Sequence, residues 1–413
     1  MVDDSAGDIT GSLSFYSEFI SMVAVVCWGV SSDYLEKRTI NSISFVIMGI
    51  IVIAYPYAKN VYPTLLLLRF IYSVGTAGTT CMMAGILLEI VPGERSGLAS
   101  GLIGTASGLG AIFAAFVLFS VPTRMAHLAE SQFDPILINY GYAVIGAVTI
   151  AIGVILWFVM PKNKRHISSI TAEKPNLIAA STWKKRSVEV VDNLKHGVLA
   201  AKDPRIALGY VSSFFARADE VIITHFISLW VQQYYIDIGR CQVGAYCPYA
   251  SSSTQTMTGI AQSVALVVAP FFGIGSHFSK EWSLIIAGCI GVSGCIPFAF
   301  SINPTANTSL AFVILLAMGE YGMIVAGLAL LARDKVRPEY RGGVAGVYSL
   351  CGCIGIMIVS KVGGVLFDKW MKGAPFLLLG IGHALVALLA LIHFIYLMVK
   401  KYVYGQKDIK VFS

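Results

Sequence analysis

Charge is what this sequence has least of. Of its 413 residues only 13% are Asp, Glu, Lys or Arg, against roughly 25% in an average soluble domain. Hydrophobic residues make up 56% and the mean hydropathy is +0.74. So few charges cannot cover a soluble surface, and the chain reads as an all-α polytopic membrane protein. The eight cysteines include no C-x-x-C pair and no His stands at zinc spacing, so neither a metal site nor a cofactor is expected. No Ser-His-Asp arrangement and no paired-carboxylate hydrolase pattern is visible, which argues against an enzyme. The glycines of 97–110 and 342–355 are not a phosphate cradle, since no strand precedes them and no G-K-[ST] follows. They read as small residues that let membrane helices approach closely. A net charge of +7 would suit nucleic acid if it were clustered, but it is spread over short loops, so no nucleic-acid partner is expected.

What is present is a series of long apolar runs. A helix needs about 20 apolar residues to cross the hydrocarbon core. Eleven stretches qualify, near 12–32, 40–58, 63–90, 97–121, 139–160, 206–232, 254–276, 283–302, 309–332, 343–365 and 374–399. They divide the chain into a five-span bundle over 1–160, a basic linker over 161–205 and a six-span bundle with a tail over 206–413. The opening residues Met1 to Thr10 are polar and acidic and read as an external loop. Within the linker, Val191, Leu194 and Val198 follow helical spacing and predict a short interfacial helix. Cys27, Cys81, Cys289, Cys295, Cys351 and Cys353 lie in apolar runs and read as packing residues. Cys241 and Cys247 flank a polar loop, where a disulfide and two free thiols are both open. Asn307-Thr308-Ser309 is a glycosylation sequon close to a membrane surface.

The basic residues set a direction. Twenty-two Lys and Arg fall in one set of loops with the linker and tail, five in the opposite loops, and Arg69, Arg217 and Lys361 inside spans. The positive-inside rule makes the richer side, with the C-terminus, cytoplasmic. Which membrane is involved is not encoded.

Two patterns recur. Pro92-x-x-Arg95-x-Gly97-x-Ala99 returns 246 residues later as Pro338-x-x-Arg341-x-Gly343-x-Ala345, and Gly29-x-x-x-Asp33 returns 244 residues on as Gly273-x-x-x-His277. Two related halves are a common transporter architecture. The segment Gly29-Val-Ser-Ser-Asp33-Tyr-Leu-Glu-Lys37-Arg38 resembles the signature between the second and third helices of the major facilitator superfamily, G-x-x-x-D-x-x-G-[RK]-[RK], with Glu36 in place of the second Gly. Leu68-Arg69 followed by Gly75 and Gly78 resembles the family's fourth helix, and the two Pro-x-x-Arg-x-Gly copies resemble the loops before its fifth and eleventh helices. The resemblance covers the whole chain as eleven of twelve expected helices. It implies a two-bundle fold and solute transport by alternating access, with the first helix lacking through truncation or an incomplete gene model; a true eleven-span protein is the alternative.

The resemblance further implies that Asp33 meets the N-terminal end of the span that follows Arg341. Together with Gly29, Lys37, Arg38 and Arg95 these residues would form a latch closing the cytoplasmic face. An anion near a helix N-terminus gains about 0.3–1 kcal/mol when exposed. The simpler alternative is a set of positive-inside loop charges without a gating role.

Ionisable residues inside spans cost several kcal/mol and usually face a cavity or one another. Arg69 lies in the span resembling family helix four, Arg217, Asp219, Glu220 and His225 in that resembling helix seven, and Glu320 in that resembling helix ten. The family implies that all three line the central pathway. Arg217 and Glu220 share a helix face, while Asp219 points elsewhere and needs its own partner. Burial favours a protonated carboxyl and a nearby guanidinium favours the ionised one. Glu220 or Glu320 is therefore expected to exchange a proton, while Arg217 and Arg69 hold a polar or anionic solute. A static interhelical salt bridge is the competing account. Glu18, His383 and His393 carry less weight. The expected function is secondary active transport of a small polar or anionic organic solute, proton-coupled. An uncoupled facilitator and a solute-binding receptor are the alternatives.

Overall fold

The computed structural model describes residues 5–31, 35–90, 96–118, 135–160, 192, 194–243, 247–331 and 341–404. The described residues form helices and contain no strand. The eleven long ones are α1 (Ala6–Ser31), α2 (Lys37–Ala54), α3 (Leu66–Ile90), α4 (Ser96–Phe113), α5 (Pro135–Val159), α6 (Pro204–Asp237), α7 (Pro248–Phe278), α8 (Lys280–Ala299), α9 (Asn307–Leu331), α10 (Arg341–Lys369) and α11 (Ala374–Tyr404). Ten of them are long and apolar enough to cross a membrane. The remaining one, α6, has the length at 34 residues but carries Arg217, Asp219 and Glu220 mid-helix. The protein is a multi-pass integral membrane protein.

Local chemistry explains where helices begin. Pro204 opens α6 behind Asp203, whose carboxylate accepts the Arg205 N–H at 3.1 Å. Ser279 caps α8, its Oγ accepting the Trp282 N–H at 3.4 Å. The polar opening of the chain is not a loop throughout, because α1 already starts at Ala6. Its backbone donors find a partner there: the Asp368 carboxylate of α10 accepts the Gly7 and Asp8 N–H groups at 3.0 and 2.7 Å.

Lipid is as apolar as a leucine side chain, so these helices are held by close packing more than by a hydrophobic drive. Small residues sit where backbones meet. A Cβ on Gly49 of α2 would come within 2.6 Å of the Gly146 carbonyl of α5. One on Gly319 of α9 would stand 3.0 Å from the Ala287 carbonyl of α8. The deepest packing lies among α6 and α8–α11, where Trp230, Phe298 and Phe376 stack with ring centroids 4.7–5.9 Å apart. On the other side of α11, Ile381, Leu385, Leu388, Ile392 and Ile395 remain exposed at helical spacing, as a lipid-facing stripe should.

Far apart in the chain, α1 packs along α10 and α4 along α7. Helical residues 194–199 of the linker pack on one side only, with Val198 and Leu199 exposed on the other. Leu194 joins a cluster with Ile206, Tyr210, Leu331, Val344 and Val347, and the Tyr210 hydroxyl donates to the Gly197 carbonyl at 2.8 Å. Val191 lies outside the described residues. Cys241 and Cys247, in the α6–α7 connection, form a disulfide. Cys295 and Cys353 are buried as packing residues, whereas Cys27 and Cys289 are exposed. Asn307 and Thr308 fall in the first turn of α9.

Candidate functional site

Four helices bring one polar face each to a common space. On α1 the face is Ser14, Ser17, Glu18 and Ser21; on α3 it is Arg69, Tyr72, Ser73, Thr76 and Thr80. On α6 it is Arg217, Glu220, Thr224 and His225, and on α10 Ser349 and Cys353. Every set follows the three- and four-residue steps of one helix face. They enclose a cavity of about 400 Å³. Among the described residues its aliphatic lining is Val25, Ala77, Val221 and Ile356.

The charges in this cavity are not matched off against one another. Among the described residues, Arg69, Arg217, Glu18 and Glu220 make no ion pair at 4.0 Å or less. Arg217 lies in the electrostatic reach of Glu220 and then Glu18. Glu18 lies beside the Cys353 thiol, in the electrostatic reach of Arg217. The Tyr55 hydroxyl, Tyr72 and His225 lie in the electrostatic reach of Arg69. His225 Nδ1 is 3.3 Å from Ser14 Oγ. Charges held apart around a cavity of this size within a membrane protein are available to a ligand.

Asp219 and Glu320 lie elsewhere. Asp219 turns away from the cavity, is fully buried, and places its carboxylate 3.0 Å from His383 Nε2 of α11. Glu320 is 1% exposed within the same bundle, in the electrostatic reach of Asp219 and Glu220, and does not line the cavity. His393 stands 3.9 Å from Glu281, which pairs with Arg205 at 2.5 Å and ties the ends of α6 and α8. Glu18, weighted low from sequence, is a cavity residue. The signal that finds it is the run Ser14, Ser17, Glu18, Ser21, one polar stripe on an otherwise apolar helix.

Of the expected cytoplasmic latch, Asp33 and Arg95 lie outside the described residues. Gly29 is in the last turns of α1 and Arg341 opens α10. Lys37 opens α2 and Arg38 follows it; Arg38 pairs with Glu36, the residue that replaces the signature's second Gly, and stacks over Trp157 at 4.9 Å. At the opposite end of the same helix pair, α1 and α10 are tied directly. Besides the Asp368 contacts to the start of α1, Lys361 Nζ donates to Asp8 Oδ1 at 2.5 Å and to Ser12 Oγ at 2.7 Å. Gly7 lies against Gly364 and Gly11 against Ser360, leaving no space for side chains between the backbones.

Comparison with known proteins gives a consistent frame. The profile of the Major Facilitator Superfamily matches residues 4–360. Magnetosome protein MamH of Paramagnetospirillum magneticum AMB-1 is 29% identical over 196 residues, 47% of this chain and 44% of that one. Magnetosome protein MamZ of Magnetospirillum gryphiswaldense MSR-1 is 30% identical over 194 residues, 46% of this chain and 28% of that one. These matches span less than half the length of either relative. Among solved structures, a point mutant of the nucleoside transporter NupG superposes with a TM-score of 0.61 at 14% identity, covering 94% of this chain and 90% of that one. The human organic anion transporter MFSD10 gives 0.60 at 12%, covering 93% and 83%. The proton:xylose symporter XylE bound to 6-bromo-6-deoxy-D-glucose gives 0.55 at 14%, covering 93% and 94%. At these identities the likeness is one of fold.

Proposed function

The chain belongs to the major facilitator superfamily, and from that premise we propose that it is a secondary active transporter of a small polar organic solute, working by alternating access with proton coupling. The observation that carries the reading is the cavity between α1, α3, α6 and α10, whose two arginines and two glutamates stand apart from one another. Helices of both halves line it, so a solute bound there is held by both and can follow their rocking. In this assignment the eleven helices take the places of the family's second to twelfth, over an N-terminal unit 1–160, a linker 161–205 and a C-terminal unit 206–413. The linker and C-terminus are cytoplasmic. The Cys241–Cys247 disulfide, on the side opposite the linker, suits an oxidising compartment.

The tie of Asp368, Lys361 and Asp8 then closes the external end of α1 and α10. The signature residues Gly29, Asp33, Lys37, Arg38, Arg95 and Arg341 close the cytoplasmic end in the alternate state. Each latch would bias a two-state equilibrium by holding one face shut. Arg69, Arg217 and Glu220 hold the solute, while Asp219 and Glu320, on and beside the helix that carries Arg217, exchange the proton. Two of the proteins sharing this fold, XylE and FucP, are proton symporters, which supports the coupling.

Uptake into proteoliposomes, with and without an imposed pH gradient, tests the reading. Accumulation above equilibrium that collapses with the gradient is expected. Equilibration alone would reduce the protein to a facilitator, and binding without flux would make it a receptor. Glu320→Gln is expected to abolish gradient-driven accumulation while leaving solute exchange intact. Loss of both together would remove Glu320 from the coupling role.

A further inference from the structure

The cavity charges are sorted along its length. Arg69, His225 and Ser14 meet at one end, since Ser14 touches His225 at 3.3 Å and His225 lies in the field of Arg69. Among the described residues no carboxylate pairs with Arg69 within 4.0 Å, and the Tyr55 hydroxyl lies in its field. Glu18, Glu220 and Arg217 gather toward the other end, with Glu18 in the field of Arg217 first and of Glu220 and Arg69 after it. Arg217 and Glu220 precede His225 on α6 by eight and five residues, and Glu18 follows Ser14 on α1 by four. At ~1.5 Å per residue the two ends are therefore about 6–12 Å apart along the helices. One end carries a guanidinium with no paired carboxylate, the other two carboxylates around one guanidinium. With every group ionised the cavity is a dipole, positive beside Arg69 and negative beside Glu18 and Glu220.

We propose that the solute of this cavity is a zwitterion, a short amino acid or similar dipolar ion, with its carboxylate toward Arg69 and its ammonium between Glu18 and Glu220. The proposal narrows the solute of the transport reading and takes from it only the premise that the cavity is the solute site. Other solute classes fit the charges less well. A simple anion satisfies Arg69 but brings no cation to the acidic end. An amine leaves Arg69 without a counter-charge. A polyol reaches the hydroxyl-rich walls but neutralises neither pole, and Tyr72 is the sole aromatic ring other than His225 among the described cavity lining on which a sugar face could stack. A dipolar ion meets both poles, and its hydroxyl or amide substituents find Ser17, Ser73, Thr76 and Thr224 between them.

Isothermal titration of the purified full chain with four probes of similar size tests this: 4-aminobutyrate, butyrate, butylamine and erythritol. A hydrogen bond to a charged partner is worth ~1.5–3 kcal/mol, so the zwitterion is expected to bind about tenfold or more tighter than either singly charged probe. Arg69→Gln should bring 4-aminobutyrate down to the affinity of butylamine, and Glu18→Gln or Glu220→Gln should bring it down to that of butyrate. The wild-type ranking needs no variant to fold. Butyrate equal to or better than the zwitterion overturns the proposal, as does erythritol as the best ligand or no binding heat from any probe. The same probes in proteoliposomes separate the two claims. Flux of butyrate without 4-aminobutyrate keeps the transport reading and sinks the dipolar site. Tight binding of 4-aminobutyrate without flux keeps the site and sinks the transport reading.

Discussion

At the scale of the residue, the governing fact is what a charge costs inside a membrane protein and how each one here is accommodated. Asp219 and His383 are accommodated by each other, both fully buried and 3.0 Å apart. Removing one partner of such a pair strands the other, at a cost of about 3–5 kcal/mol, whereas replacing both with apolar residues is close to neutral. Asp219→Leu and His383→Leu should each lower the thermal midpoint in detergent, and the double variant should recover most of the loss. Additive losses would show that the two side chains do not act as a pair. The cavity charges are accommodated differently, by water or solute. Their positions were legible in the sequence as ionisable residues within apolar runs. Their division into a cavity group and a buried group was not, since it depends on which way α6 is rotated against α11.

Elements are held together by the closeness of their backbones. Gly294 of α8 faces the backbone of α9, where an added Cβ would stand 2.7 Å from the Phe312 carbonyl. Backbone cannot yield as a side-chain tip does, so Gly294→Ala is expected to cost about 1–3 kcal/mol through overpacking. Gly110 of α4 has nothing within 4 Å of the corresponding position. There Gly110→Ala gains helix propensity, about 0.5–1 kcal/mol, with no clash. Thermal unfolding of the two variants should move in opposite directions; equal shifts would refute the packing account. The ten described helices apolar enough to cross a membrane were readable from apolar runs and charged gaps. The start of α1 at Ala6 was not, because the partner of its free N–H groups, Asp368, comes from the far end of the sequence. Nor was the packing of Leu194 of the linker, whose apolar partners lie on α6, α9 and α10.

For the whole molecule the question is how the halves move. α1 and α10 meet backbone to backbone at Gly7 with Gly364 and at Gly11 with Ser360, and in the proposed cycle this contact must open. In a background whose free cysteines are serines, Gly7→Cys with Gly364→Cys should form a cross-link under oxidant. Uptake should then fall at least tenfold and return with reductant. Full uptake by the cross-linked protein would show that these ends never separate. At the opposite end, Asp33→Asn should slow uptake per inserted molecule without reducing insertion, and unchanged uptake would leave the signature without a gating role.

The sequence by itself determined the solvent, the helix class and the family. Hydropathy and charge placement follow from local composition, and the Pro-x-x-Arg-x-Gly repeat with the Gly29–Arg38 signature lies within short segments. Tertiary structure alone decided which charges share a space. Arg69, Glu18 and Arg217 are far apart in the chain and converge because α1, α3 and α6 each turn one stripe inward. Helix rotation is set by packing against neighbours, and a one-dimensional pattern records a stripe's existence but not the stripe it faces.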